Sequence, residues 1–238
     1  MLDVAEVERA LVVTAHPDDV DFGGAGTVAT WTDAGIKVTY CVITDGDAGG
    51  FDPVVPRGDI AGIRREEQTA AGAEVGVADV RFLGYPDGKL VTSLELRRDI
   101  SRVIRDVRPQ RVMCPSPLRT FGRIGVNHPD HLAAGEAALC AVYPDARNPF
   151  AHPELAADGL DAWVVSEVWV MAADQPNHHV DITEVFDRKI RALHRHASQH
   201  PDPAALEPRL RQWFSSIAES AGLPAGRLAE AFHVMPTA

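Results

Sequence analysis

Two short segments carry residue types that can bind a cation and move protons. The first, Ala15-His16-Pro17-Asp18-Asp19, closes an apolar run that begins at Ala10. Adjacent carboxylates repel one another and are disfavoured at the end of a buried strand, so something must compensate them, and a cation is the simplest candidate. Pro17 fixes the chain direction after His16. If a turn follows, Asp18 and Asp19 point different ways, one toward a metal and the other toward a substrate. The second segment, Asn127-His128-Pro129-Asp130-His131, sets two imidazoles three residues apart. Pro129 suits the first turn of a helix capped by Asn127 or His128, which puts His128 and His131 on one side of that turn.

Two imidazoles and a carboxylate with open positions form a common catalytic zinc set, and His16, Asp19 and His131 can provide it. Zinc lowers the pKa of a bound water to about 7. Asp18, close but not ligating, would take that proton as general base, and His128, when protonated, would stabilise an oxyanion and then help protonate the leaving amine. The chemistry is metal-assisted amide hydrolysis. Taken singly, each segment has a plainer role, as an Asp cap on the helix after the first strand or as a capped helix start. Two other functions use the same residues. A metal-stabilised sugar-binding module without catalysis would need the ligands but not a spare carboxylate at Asp18. A non-haem iron oxygenase would use His16, Asp18 and a distant His, but such ligands usually sit in β-rich barrels.

Residues so placed need a scaffold that delivers them to one edge. Apolar runs at 10–15, 37–44, 79–84, 110–115 and 166–172 read as strands, and helical patterns occupy about 26–35, 60–75, 94–107 and 129–142. The last third reads as mostly helical, from about 183 to 196 and 205 to 221. Strands separated by helices imply right-handed crossovers and a mainly parallel α/β sheet, whose ligands sit beyond the carboxyl ends of the strands. The polar segments obey that rule: His16 to Asp19, Asp45-Gly46-Asp47, Tyr85-Pro86-Asp87-Gly88 and Asn127 to His131 each follow a strand.

The 238 residues show no linker, repeat or low-complexity run, which predicts one domain over 1–238. Net charge is -11, from 34 acids against 23 bases, with no basic cluster, so nucleic acid and anionic membrane are excluded as partners. No apolar run approaches the ~20 residues that span a bilayer, and the acidic start lacks the pattern of a secretory signal. Cys41, Cys114 and Cys140 suggest neither a disulfide framework nor a thiolate site. A cytoplasmic protein is expected, and a homo-oligomer is compatible with the sequence.

"AHPDD", "TDGDAGG", "RREE", "GYPDGKL" and "NHPDH", with "VDITEVFDRKIRALHRHASQ" near the C-terminus, resemble the LmbE-like, or PIG-L-type, zinc-dependent N-acetylglucosamine de-N-acetylases. The likeness runs from about residue 10 to 200. It implies a Rossmann-like fold, followed here by a helical C-terminal segment over about 201–238. It also implies one zinc ion per chain and a small-molecule amino-sugar conjugate as substrate. By the same resemblance His16, Asp19 and His131 hold the metal, Asp18 is the base and His128 its proton-donating partner. Arg64, in an RxxE pattern with Glu67, matches a sugar-contacting position, and Asp87 lies in a loop beside the pocket. Two departures stand out. Val20 replaces a frequent Glu, for which Asp21 can serve. Val126 replaces a Tyr, so Tyr85 or Tyr143 must substitute or the oxyanion site works without a phenol.

Other residues attract attention for weaker reasons. His178 and His179 read as loop residues with some chance of ordering a ligand, while His194, His196 and His200 read as exposed or at a helix end, although His196 falls in an HxSQ pattern of the family. Cys114 reads as a small buried hydrophobe and the glycines at 23–26 as helix–sheet packing. The segment from Asp45 to Gly62 is long enough for a substrate loop or lid. Arg57, Arg119 and Arg123 are candidates for meeting an anionic or hydroxyl-rich substrate.

Overall fold

The run Ala10–Val13 is apolar on both sides because β1 (Arg9–Thr14) lies at the middle of a sheet with helices on each face. The computed structural model describes residues 1–237. The remaining strands are β2 (Lys37–Thr44), β3 (Asp79–Tyr85), β4 (Arg111–Pro115), β5 (Glu167–Met171), β6 (His178–Asp181) and β7 (Ala229–Pro236). The helices are α1 (Asp19–Gly23), α2 (Ala25–Asp33), α3 (Arg57–Glu74), α4 (Leu94–Val107), α5 (Pro129–Cys140), α6 (Pro153–Ala157), α7 (Phe186–His194) and α8 (Pro203–Ser220). One seven-stranded sheet runs in the order β3-β2-β1-β4-β5-β7-β6. The first five strands are mutually parallel, as the alternation of elements predicts, and β7 is antiparallel to both β5 and β6.

The chain starts at β1, steps outward to β3, then returns to place β4 on the other side of β1. That reversal opens a crevice beyond the carboxyl ends of β1 and β4. The two His-Pro-Asp segments follow these two strands. One face of the sheet is covered by α2, α3, α7 and α8, the other by α4 and α5. In α4 the spacing Leu96, Ile100, Val103, Ile104, Val107 buries one stripe, and the Ser93 hydroxyl caps the helix at Leu96 N, 3.1 Å away. Helix α5 begins at Pro129 with His128 as its cap. It can approach β4 closely because Gly135 has no side chain: a Cβ there would collide with the backbone of Pro115 and Ser116. This approach carries His128 and His131 to the crevice.

The C-terminal segment is only half helical. After α8 the chain returns as β7, inserted between β5 and β6, and His178 and His179 belong to β6 rather than to a loop. The strand is hard to see in sequence because Glu230 stands second in it, among residues that are otherwise mostly apolar. Glu230 is fully buried, paired with Lys189 Nζ at 2.7 Å, and accepts from Gly26 N and Thr27 N in the first turn of α2. The expected lid is also shorter than the reading allowed, since α3 begins at Arg57.

Candidate active site

Beyond β1 the backbone turns sharply. Asp18 adopts a left-handed conformation, φ 88°, which costs a non-glycine residue of order 1 kcal/mol and persists only where neighbours hold it. They do so here. The Gln68 side chain accepts from Asp18 N at 2.7 Å, and the Arg64 guanidinium bonds Pro17 O (2.5 Å), Asp18 Oδ2 (3.1 Å) and Gly46 O (3.1 Å). Gly46 has φ 61°, and a Cβ on it would run into that guanidinium, so this glycine answers both to the turn and to the arginine. The turn sends Asp18 and Asp19 in different directions, as the Pro17 argument requires.

Three side chains converge. His16 Nδ1 lies 3.2 Å from His131 Nε2, His131 Nε2 lies 3.0 Å from Asp19 Oδ1, and His16 Nδ1 lies 3.6 Å from Asp19 Oδ2. A tetrahedral ion with bonds of about 2.0–2.2 Å separates its donors by roughly 3.3–3.6 Å, so the spacing and the donor types suit such an ion. Asp19 Oδ2 already accepts from Ala15 N (3.1 Å) and His16 N (2.8 Å), which leaves Oδ1 as the freer oxygen. The other nitrogen of His16 lies 3.0 Å from Asp87 Oδ1 and 3.4 Å from Asp130 Oδ2. Two carboxylates there favour the proton on Nε2 and turn the Nδ1 lone pair toward His131 and Asp19. His128 completes a looser trio with His16 and His131, but its Nδ1 accepts from Asp130 N at 3.2 Å, in keeping with its place as a cap.

These residues line one polar cavity of about 420 Å³, with His16, Asp18, Asp19, Arg64, Asp87, His128 and His131 all on its wall. Every site residue expected from the sequence is thus brought together. Arg64 is nearly fully buried with its guanidinium on Asp18, and Asp87 Oδ1 lies 3.0 Å from His16 Nε2. Electrostatics distinguish the members. Burial raises the Asp18 carboxyl to about 6, with Arg64 pulling it down and Asp19 pushing it up. Burial also disfavours the charged forms of Asp19 and His16, but their mutual attraction and that of His131 win. Asp19 is held well below the usual carboxylate range, and His16 is raised to about 11. For His128, burial and the two neighbouring imidazoles act together and lower its pKa.

Sequence reasoning missed the support behind Asp18. Gln68 Nε2 donates to Asp21 Oδ2 at 2.9 Å, and His196 Nε2 lies 2.9 Å from the same oxygen. His196 is therefore not exposed: it is fully buried because the HxSQ segment folds over Asp21. Glu67, four residues before Ala71 in α3, accepts from both the backbone and the hydroxyl of Ser198 and so anchors that segment. Gln68 was findable, lying one helical turn after Arg64 on the same face. Asp130 was passed over inside its own motif. Its carboxylate accepts from Gly88 N (2.7 Å) and Leu90 N (3.2 Å), tying the Asp87 loop to α5.

Neither tyrosine lies at the polar cavity: the Tyr85 hydroxyl donates to Asp99 at 2.8 Å, and Tyr143 is exposed. Cys114 is buried, with its thiol pushed up to about 12 by burial, as expected of a hydrophobe. His178 packs edge-on against Trp169. Arg57 bonds Asp47 O, Arg119 bonds Asn127 O, and Arg123 stacks on Trp213. Ala48 and Gly49, from the loop after β2, do reach the cavity.

A Rossmann-like sheet with a cluster of histidines and carboxylates at its switch point defines the class: an α/β protein with a candidate metal site in the topological crevice. Residues 11–142 match the PIG-L family, described as GlcNAc-PI de-N-acetylase, and the chain belongs to that family. It is 35% identical over 208 residues to the diacetylchitobiose deacetylase of Thermococcus kodakarensis, covering 87% of this chain and 76% of that one. It is 31% identical over 198 residues to a probable N-acetyl-α-D-glucosaminyl L-malate deacetylase 2 of Bacillus anthracis, covering 80% and 81%. The crystal structure of N,N'-diacetylchitobiose deacetylase from Pyrococcus horikoshii superposes with a TM-score of 0.89 at 31% identity, covering 98% of this chain and 85% of that one. These relatives are hydrolases named for removing acetyl groups from amines.

Proposed function

We propose that the chain is a zinc-dependent hydrolase that removes an N-acetyl or similar N-acyl group from an amino-sugar conjugate. The observation that carries this reading is the meeting of His16 Nδ1, Asp19 and His131 Nε2 at mutual distances of 3.0–3.6 Å on a wall that also presents Asp18 and His128. His16, Asp19 and His131 would hold the ion. When bound there, zinc supplies Lewis acidity that makes water more acidic and an amide carbonyl more electrophilic. Asp18 accepts the proton of the attacking water, and its position off the ligand set leaves it free to do so. In its protonated form His128 faces the developing negative charge and the departing amine, and the lowered pKa makes it a ready donor of that proton. Arg64 and Asp87 present a cation and an anion to sugar hydroxyls while holding Asp18 and His16 in place. Relatives named for acetylated glucosamine conjugates support the substrate class. The unpaired state of Cys41, Cys114 and Cys140 suits the cytoplasm.

The test is amine release from a panel of N-acetylglucosamine conjugates, including diacetylchitobiose and the malate and inositol glycosides, by metal-stripped and zinc-restored protein side by side. Zinc-dependent release from at least one conjugate is expected. A fully zinc-loaded protein that releases amine from none of them overturns the reading.

A further inference from the structure

A second cavity, of about 410 Å³, adjoins the first. The two share Phe22, Gly125, Asp19 and His131, so the candidate ligands form the partition between them. Their walls differ in kind. Asp18, Arg64, Asp87 and His128 face only the first. The second is faced by Met171 of β5, Val126 from the loop before α5, and Trp213, Phe214 and Ile217 of α8. Its one charged side chain beyond the shared pair is Arg123, whose guanidinium lies 4.9 Å above the Trp213 ring and so links that loop to α8. The same loop presents Leu118, Phe121 and Ile124 to solvent.

We propose that the second cavity is an acyl-chain subsite, and that the enzyme hydrolyses amides bearing alkanoyl chains longer than acetyl. The proposal rests on the deacylase reading and adds which acyl group is removed. Orientation follows from His128. The amine must leave beside the group that protonates it, and His128 lines only the polar cavity, where sugar hydroxyls also find charged partners. The acyl substituent then projects across the partition into apolar surroundings. An acetyl methyl occupies about the volume of one water, ~30 Å³, which leaves most of the second cavity unfilled. A cavity of this size falls within the range that binds small molecules, roughly 300–1,000 Å³. Water gains little from apolar walls, whereas each methylene of a longer chain is drawn from water into them. The reaction is ordinary hydrolysis: the C–N bond breaks, the acyl carbon gains the water oxygen and leaves as a fatty carboxylate, and the amine takes up the proton.

The experiment is a series of N-acylglucosamines with acetyl, butanoyl, hexanoyl and octanoyl groups, assayed with zinc-loaded protein. A parallel arm keeps the acetyl group and lengthens an alkyl chain on the anomeric oxygen. The expected result is a kcat/KM for the hexanoyl amide at least tenfold above that for acetyl. Binding to Asp18→Asn protein, measured by calorimetry, should tighten by about three- to fourfold per acyl methylene. Ile217→Trp should lower the hexanoyl-to-acetyl ratio of kcat/KM by tenfold or more, a ratio that does not depend on the fraction of folded protein. Hydrolysis of acetyl with rates falling along the acyl series overturns the proposal and leaves the deacetylase reading standing. Gains along the anomeric arm instead, or an unchanged ratio in Ile217→Trp, overturn it as well. No hydrolysis of any amide removes the deacylase reading and the proposal with it.

Discussion

The two cavities that meet at Asp19 and His131 are built in different ways. The polar one is assembled from short contiguous pieces, each just beyond a parallel strand: residues 16–19 after β1, 48–49 after β2, 87–88 after β3 and 125–131 after β4, joined by Arg64 of α3. The apolar one gathers Phe22 and Gly23 of α1, Met171 of β5, three residues of α8 and Ala231 of β7. Bond-making chemistry needs a few atoms held to within about half an ångström, and strand ends in a rigid sheet provide that. An apolar subsite needs volume and shape, which any packed side chains can supply. Changes on the polar side should therefore appear in rate, and changes on the apolar side in preference or in stability.

The largest effect should come from Asp18→Asn. Asn tolerates the left-handed backbone at this position and keeps the shape, but it cannot take a proton. Activity should fall by about 10²–10⁴-fold while bound zinc, measured by atomic emission, stays at the wild-type ratio. Wild-type turnover in fully metallated Asp18→Asn would break the division of labour between Asp18 and Asp19. On the apolar side the corresponding weak point is not a wall residue but the ion pair beneath it. Lys189 Nζ reaches both Glu230 (2.7 Å) and Phe22 O (2.8 Å), so it pins β7 to the residue that both cavities share. Glu230→Ala strands a buried ammonium and should cost about 3–5 kcal/mol, lowering Tm by roughly 10 °C. Calorimetry showing an unchanged Tm would mean that the lysine is satisfied without its partner.

A smaller effect separates holding from reacting. Gln68 touches no substrate in this reading but fixes the Asp18 backbone and bonds Asp21. Gln68→Met keeps the volume and removes both bonds. It should lower kcat by about tenfold with KM changed less than twofold, the pattern of a positioning residue. A rise in KM with kcat unaltered would instead put the side chain in substrate binding.

The contrast also explains what could be read from the sequence. The parallel half of the sheet was legible because each strand is an apolar run and each helix a periodic stripe, and His16, Asp19, His128 and His131 stood out because unusual residues were packed into two five-residue segments. What was hidden depends on distant partners. β7 carries a charged residue whose burial makes sense only once Lys189 and the first turn of α2 are in place. His196 has the spacing of an exposed helix end until Asp21 is seen beside it, and the apolar cavity has no motif because its wall is gathered from ordinary apolar residues of α1, β5, α8 and β7, far apart along the chain. Contiguous chemistry is visible in one dimension; assembled volume is not.

The smallest effect is one expected to be absent, and it sharpens the account of the polar cavity. With Val126 at the position where a tyrosine was sought, and Tyr40 buried in the core of the sheet, only Tyr85 or Tyr143 could bring a phenol to an oxyanion. The Tyr85 hydroxyl is committed to Asp99 on α4, its pKa raised by burial and by that carboxylate, and Tyr143 points to solvent beyond α5. Neither faces the cavity wall that holds His128. Tyr85→Phe and Tyr143→Phe should each leave kcat/KM within about twofold of wild type. His128 alone then has to meet the developing charge, so His128→Ala should lower kcat/KM by about 10²–10³-fold. A tenfold fall in either tyrosine variant, with Tm unchanged, would show that a phenol reaches the reacting carbonyl after all.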